Sequence, residues 1–181
     1  MALKKSTKDL LMDALVQILQ QREFSKVRVR EILEVSGVSR QSFYTHFRDK
    51  YHVLSSVLQR DLFQGYEQVG RGISWRDWLI AKYESTRENL NYYRKIYRQP
   101  EIKSALEEMF LEQAVKVVQT RYPIEDKALF TLRLFAESCY KLSNEWLFYH
   151  SDESPTKWVI FALNHILPEW QALLTSPDFL L

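Results

Sequence analysis

The sequence predicts an all-α fold of two helical domains, and three observations carry that expectation. Only four glycines occur, Gly37, Gly65, Gly70 and Gly72, all within the first 72 residues. The hairpin dipeptides Asn-Gly and Asp-Gly are absent, and apolar residues recur at helical rather than strand spacing. At 181 residues, with 46% hydrophobic and 27% charged side chains, the chain can bury a proper core. We expect a three-helix head over residues 1–50, a connecting helix and linker over 51–72, and a larger helical domain over 73–181.

A first helix fits Thr7–Gln21, opened by Ser6 with Asp9 as a capping-box pair. Its apolar stripe is Leu11, Ala14, Leu15, Ile18 and Leu19. A second covers Val29–Val35 with Ile32 and Leu33 inward, and Gly37 stands where a left-handed residue ends a helix. Ser39 can cap a third over Arg40–Phe47. Asp49 can cap a fourth, whose Val53, Leu54, Val57, Leu58 and Leu62 face a core. Glycine and polar residues break the periodicity over Gly65–Ser74, the best domain boundary. Helices then fit Trp75–Leu90, Asn91–Arg98, Glu101–Arg121, Ile124–His150 and Pro155–Leu167. Pro100 and Pro155 sit at helix starts with Ser154 as a ready cap, and Pro123 and Pro168 mark breaks.

The net charge of +2 says less than its distribution. Residues 1–60 carry 11 Lys/Arg against 6 Asp/Glu, and the remaining 121 carry 14 against 17. A basic head on a mildly acidic body suits a polyanionic partner for the head alone. Cys139 is the single cysteine, so no intrachain disulfide can form. No apolar stretch of signal-peptide length opens the chain and no run of about 18 apolar residues occurs, so no membrane segment is expected. A cytoplasmic protein is the expectation.

Catalysis finds no support. There is no glycine-rich phosphate loop, no G-x-S-x-G and no H-E-x-x-H. His and Cys show no metal-ligand spacing, so neither a metal nor a cofactor is expected.

The most informative stretch is Val29–Lys50, VREILEVSGVSRQSFYTHFRDK. Two short helices joined at Gly37 need a shared core to lock their angle, and Ile32, Leu33, Val38, Phe43 and Phe47 can supply it. Arg40, Gln41, Tyr44 and Thr45 are then left outside. Arginine can pair bidentately with guanine and glutamine with adenine, so Arg40 and Gln41 suit base edges in a major groove. The hydroxyls of Ser39, Tyr44 and Thr45 suit phosphate oxygens. Lys50 at a helix start opposes the helix dipole, which favours a phosphate role for it. His46 reads equally as a packed residue with one polar edge or as a phosphate donor. Arg28 and Arg30 read equally as solvated surface charges.

This stretch resembles the N-terminal domain of the TetR family of bacterial transcriptional regulators. The family's pattern stands here as Ser36-Gly37-Val38-Ser39, Phe43-Tyr44, His46-Phe47, Lys50 and Val53, with Leu54 one place on. The likeness covers about the first 55 residues. It implies a DNA-binding head with contacts at Ser39, Arg40, Gln41, Tyr44, His46 and Lys50. Base reading would rest mainly on Arg40 and Gln41, with Ser42 and Thr45 beside them, while Tyr44, His46 and Lys50 hold phosphates. The family usually places a Thr pair before its second helix. Here Val27-Arg28 stands instead, and Arg28 could hold a phosphate but cannot cap as Thr does. Arg22-Glu23 replaces a glycine often found after the first helix.

The resemblance also implies a helical ligand-binding and dimerisation domain, a homodimer on double-stranded pseudo-palindromic operator DNA, a small-molecule effector of unknown identity, and most often repression. Tyr83–Pro100 resembles a C-terminal subtype among TetR-like regulators of Gram-positive bacteria, some of which activate or act through a protein partner. Apolar and polar residues mix in the larger domain as a ligand cavity requires. Trp78, Tyr97, Phe110, Phe135, Tyr140 and Asn144 are the candidate lining. Ala128, Leu132, Phe135, Cys139, Leu142 and Trp146 make a near-heptad stripe for a partner subunit. The tail Trp170–Leu181 could cover that interface or cap the pocket.

Overall fold

The computed structural model describes residues 5–119, 126–165 and 175–177, and among them the fold is all-α. In chain order the helices are α1 (Thr7–Leu19), α2 (Val29–Ser36), α3 (Arg40–His46), α4 (Lys50–Leu62), α5 (Trp75–Arg87), α6 (Leu90–Tyr97), α7 (Pro100–Gln119), α8 (Asp126–Glu145) and α9 (Pro155–Leu163). Short 3-10 turns at Phe24–Lys26 and Tyr66–Gln68, which the periodicity does not announce, join the first elements.

Local chemistry sets the head. Ser6 and Asp9 form the capping box of α1: the Asp9 amide donates to Ser6 Oγ at 3.1 Å and the Ser6 amide to Asp9 Oδ2 at 3.3 Å. Gly37 takes φ 68° after α2, the left-handed region that a β-carbon disfavours. α1 packs on α2 and α4, and Leu11, Leu15, Leu19, Phe24, Ile32, Phe43, Phe47, Val53 and Val57 close the core. Leu33 and Val38 are half-buried against it.

The body stacks α7 on α8 and α5 on α9. Its aromatics interlock: Tyr83 lies flat on Trp146 at 4.7 Å between centroids, Tyr97 on Tyr140 at 6.0 Å, and Phe63 on Trp78 at 6.1 Å. Two helix ends differ from the pattern that the sequence predicts. The helix expected to run to His150 turns π-helical over Trp146–His150. The wider turn buries both Trp146 and Leu147 and offers the Leu147 carbonyl to Arg94 Nε of α6 at 2.8 Å. Ser154 makes no side-chain cap on α9; Pro155 at the first helical position removes a donor instead. The interruption at Gly65–Ser74 is present but packed, with Tyr66, Val69 and Ser74 buried and Trp78 Nε1 donating to the Gln64 carbonyl at 3.0 Å. Expected ends and breaks at Arg121, Pro123, Ile124, Leu167 and Pro168, and most of the tail Trp170–Leu181, lie outside the described residues. So do the side chains of Ala128 and Leu132 in the near-heptad stripe.

Head and body are clamped by polar contacts. The Phe24 amide donates to Gln99 Oε1 at 2.5 Å, and Lys95 Nζ donates to the Gln20 carbonyl at 2.7 Å. The connecting helix α4 relays a further tie: Lys82 Nζ of the body reaches its Asp61 carbonyl at 2.7 Å, and its Arg60 pairs with Asp13 of α1 in the head at 2.8 Å.

Burial pushes the Cys139 thiol up to about 12, and Tyr93 to about 12. Burial likewise raises Tyr66, Tyr83, Tyr92 and Tyr97. These groups stay neutral in the fold but ionise near their ordinary 9.0 and 10.0 once unfolded. The unfolded chain therefore loses protons first, and the stability these groups contribute is fully present below about pH 9 and is lost towards pH 12. Thermal melts should hold their midpoint up to that pH and drop above it. A tyrosinate absorbance in which all ten tyrosines titrate normally near pH 10 while the helical signal persists would contradict the buried assignment.

Candidate nucleic-acid interface

α3 starts where Ser39 caps it: the Ser42 amide donates to Ser39 Oγ at 3.1 Å, and the Ser39 hydroxyl reaches Ser42 Oγ at 3.0 Å. Phe43 and Phe47 are fully buried, at 0% and 1% exposure, and they fix the rotation of α3 about its axis. Positions 40, 41, 44 and 45 then share the opposite face, one helical turn apart. Arg40, Gln41, Tyr44, Thr45 and His46 are all exposed there, and Ser42 is half-buried. The Arg40 guanidinium lies 5.7 Å from the centre of the Tyr44 ring, which braces it over the exposed face. Thr45 donates its hydroxyl proton to the Gln41 carbonyl at 3.1 Å.

Electrostatics sharpen the choice among the cations. Lys26 pairs with Glu23, Arg30 with Glu34 and Arg48 with Asp49. Arg28 and Arg40 have no acidic partner among the described residues, so their charge remains available to an anion. Arg28 also stands at the N-cap of α2, where its side chain offers no acceptor. The cap is made in reverse, by Glu31 Oε2 accepting the Arg28 amide at 2.8 Å, with Arg22 ion-paired to the same carboxylate. The Val27-Arg28 departure thus keeps the helix start intact by a different donor–acceptor pair.

Asp49 caps α4, accepting the His52 amide at 2.8 Å. That bond, first among its causes, holds the Asp49 carboxyl below its ordinary range. Lys50, expected at a phosphate, spends its ammonium inside the head: Nζ donates to the carbonyls of Phe24 at 3.0 Å, Ser25 at 3.1 Å and Val27 at 2.9 Å.

Residues offered by sequence as a ligand lining are packed among themselves and their neighbours. Trp78, Tyr97, Phe110 and Tyr140 are buried, and Phe135 and Asn144 are half-buried. Phe110 meets Phe63 edge-on at 5.1 Å and Phe135 leans on Trp75 at 5.5 Å. The described grooves lie elsewhere. One of about 610 Å³ runs between head and body along Lys8, His52, Gln59, Glu108 and Glu112. Two more, of about 670 and 630 Å³, flank α6 at Asn91, Arg94 and Lys95. The clamp residues Gln99 and Lys95 were not singled out by sequence, because their partners stand 75 positions away.

An all-helical chain with a capped, solvent-facing α3 behind a left-handed glycine is a helix-turn-helix protein. Residues 11–57 match the family described as bacterial regulatory proteins, tetR family. Within the curated proteins, the chain is 25% identical over 97 residues to the HTH-type dhaKLM operon transcriptional activator DhaS of Lactococcus lactis subsp. lactis (strain IL1403). That match spans about half of each protein, 52% of this chain and 52% of the relative. Solved structures extend the likeness in fold. The dihydroxyacetone kinase operon activator DhaS superposes with a TM-score of 0.61 at 20% identity, covering 93% of this chain and 98% of that one. A TetR transcriptional regulator from Streptococcus agalactiae 2603V gives 0.62 at 18% identity, covering 87% and 92%. Residues 11–57 are thus similar to the tetR family of bacterial regulatory proteins, and the fold along most of the chain is that of the solved TetR regulators. The matched relatives are transcription regulators, not enzymes.

Proposed function

We propose that the chain is a homodimeric transcription regulator that binds pseudo-palindromic, double-stranded operator DNA through α3 and answers to a small-molecule effector through α5–α9. In this reading residues 1–50 are the DNA-binding head, 51–72 the connection and 73–181 the regulatory body. The observation that carries it is the exposed face of α3, where Arg40 and Gln41 are presented at a helix start set by Ser39. Arg40 and Gln41 read base edges, with Ser42 and Thr45 flanking them. Arg28, Ser39, Tyr44 and His46 hold the backbone.

A dimer is supported by exposed apolar side chains that gather on the last helices: Phe130 and Leu134 of α8, Tyr149 in the π turn, and Ile160 and Phe161 of α9. Two heads would then read half-sites about one helical turn, roughly 34–36 Å, apart. An effector would act by favouring a head spacing that no longer matches successive grooves. The cytoplasm is the compartment that suits this work.

Repression is the sign that the family resemblance implies. The second reading is activation, alone or through a protein partner, and it is favoured by the sequence relative, which is named an activator. Purified full-length chain titrated against the DNA upstream of its own gene should bind saturably as a dimer, with affinity falling steeply as salt rises. Binding that appears only with a second protein would move the chain to the adaptor reading. Promoter output with and without the chain then decides the sign.

A further inference from the structure

We propose that Lys50 is a positioning residue: it sets the entry of α2, and with it Arg28, by holding the Phe24–Val27 turn, and it is not a phosphate ligand. The inference rests on the DNA-binding reading above and concerns one residue of that interface.

An ammonium group has three donors. All three of Lys50 are engaged, by the carbonyls of Phe24, Ser25 and Val27 at 3.0, 3.1 and 2.9 Å. The same ammonium lies 4.7 Å from the Phe24 ring centre and 5.4 Å from that of Tyr51, so its charge faces two π clouds as well. A phosphate could be met only by breaking these bonds.

The acceptors are not arbitrary carbonyls. The Val27 carbonyl belongs to the peptide whose N–H, on Arg28, is held by Glu31 at 2.8 Å. That peptide is therefore gripped from both sides, by α4 through Lys50 and by α2 through Glu31. Phe24 is gripped likewise, its amide by Gln99 of the body and its carbonyl by Lys50. Lys50 is the first residue of α4, so one side chain joins the start of that helix to the start of α2 across 23 to 26 residues of sequence. Residue 28, where Arg28 stands with no acidic partner among the described residues, is placed by this tripod.

The test compares Lys50→Met and Lys50→Arg in the full-length chain. Each is titrated across a salt series against a duplex selected by the wild-type chain from a random pool. An arginine keeps the positive charge a phosphate would meet, but its planar fork cannot reproduce three converging bonds. The positioning role predicts that both variants lose affinity by a similar factor, roughly tenfold or more, and that both show a shallower slope of log affinity against log salt, because Arg28 leaves its phosphate in each. A phosphate role predicts a Lys50→Arg near normal in both affinity and slope, beside a Lys50→Met whose slope alone is shallower by about 0.9 per lost contact. A near-normal Lys50→Arg therefore overturns the proposal. Acetylation footprinting of the wild-type chain needs no variant to fold: Lys50 should resist acetylation equally with and without DNA, and protection that appears only with DNA refutes the assignment. If the wild-type chain selects no sequence, the DNA-binding reading fails, while the footprint of the free protein still judges the tripod.

Discussion

An Arg40→Ala, Gln41→Ala double variant should lose specific DNA binding while keeping the fold of the parent. Both side chains are exposed and contribute nothing to the core that locks α3, so melting temperature and dimerisation should be unchanged. Each bidentate base contact is worth about 1–3 kcal/mol of discrimination, so losing two in each of two heads should cost at least roughly a thousandfold in specific affinity. Non-specific binding should fall less, since the loss of Arg40 removes a single charge per head. The measurement is a titration at fixed salt against the selected duplex and a scrambled one. Unchanged affinity and unchanged preference would mean that α3 is not the reading helix.

Truncating Phe43 to Ala should have the largest effect on stability. Its ring is fully buried, meets Tyr44 edge-on at 5.2 Å and leans on Phe47 at 6.0 Å. Removing a buried phenyl group costs about 3–5 kcal/mol, a large share of the 5–15 kcal/mol that holds a typical protein together. Urea unfolding should show a lower midpoint, and DNA binding should fall with it, because α3 loses the anchor that aims its outer face. An unfolding free energy that falls by less than about 1 kcal/mol would place Phe43 outside the core.

The two experiments separate what the helix presents from what holds it. Arg40→Ala, Gln41→Ala removes the message and leaves the scaffold, while Phe43→Ala loosens the scaffold and leaves the message. The Lys50 variants probe a third property, the placement of the neighbouring helix start.

Most of the head is legible in the sequence. Ser6 with Asp9, Gly37, Ser39 and Asp49 act within four residues of themselves, and each does in the fold what its local chemistry implies. Helix starts came out within a residue of expectation in α1–α4 because caps are local. The body was less legible. Ser154 had the right residue type for a cap but makes no such bond, and the end of α8 widens into a π turn that no cap or breaker announces. That turn depends on Arg94, more than 50 positions earlier, and on the stacking of Trp146 against Tyr83. Aromatics that by spacing suited a cavity wall equally suited a packed core, and packing is where the structure puts them.

By itself the sequence determined the all-α class, the helix-turn-helix and the outward stripe of α3, because these follow from periodicity and caps that act over one or two turns. Only the tertiary structure decided which cations remain available, with Lys50 spent on three carbonyls while Arg28 and Arg40 keep their charge for a partner. It alone revealed that Gln99 ties the body to the Phe24 turn. Charge availability and long-range clamps depend on groups brought together from distant parts of the chain, and no local pattern encodes such a meeting.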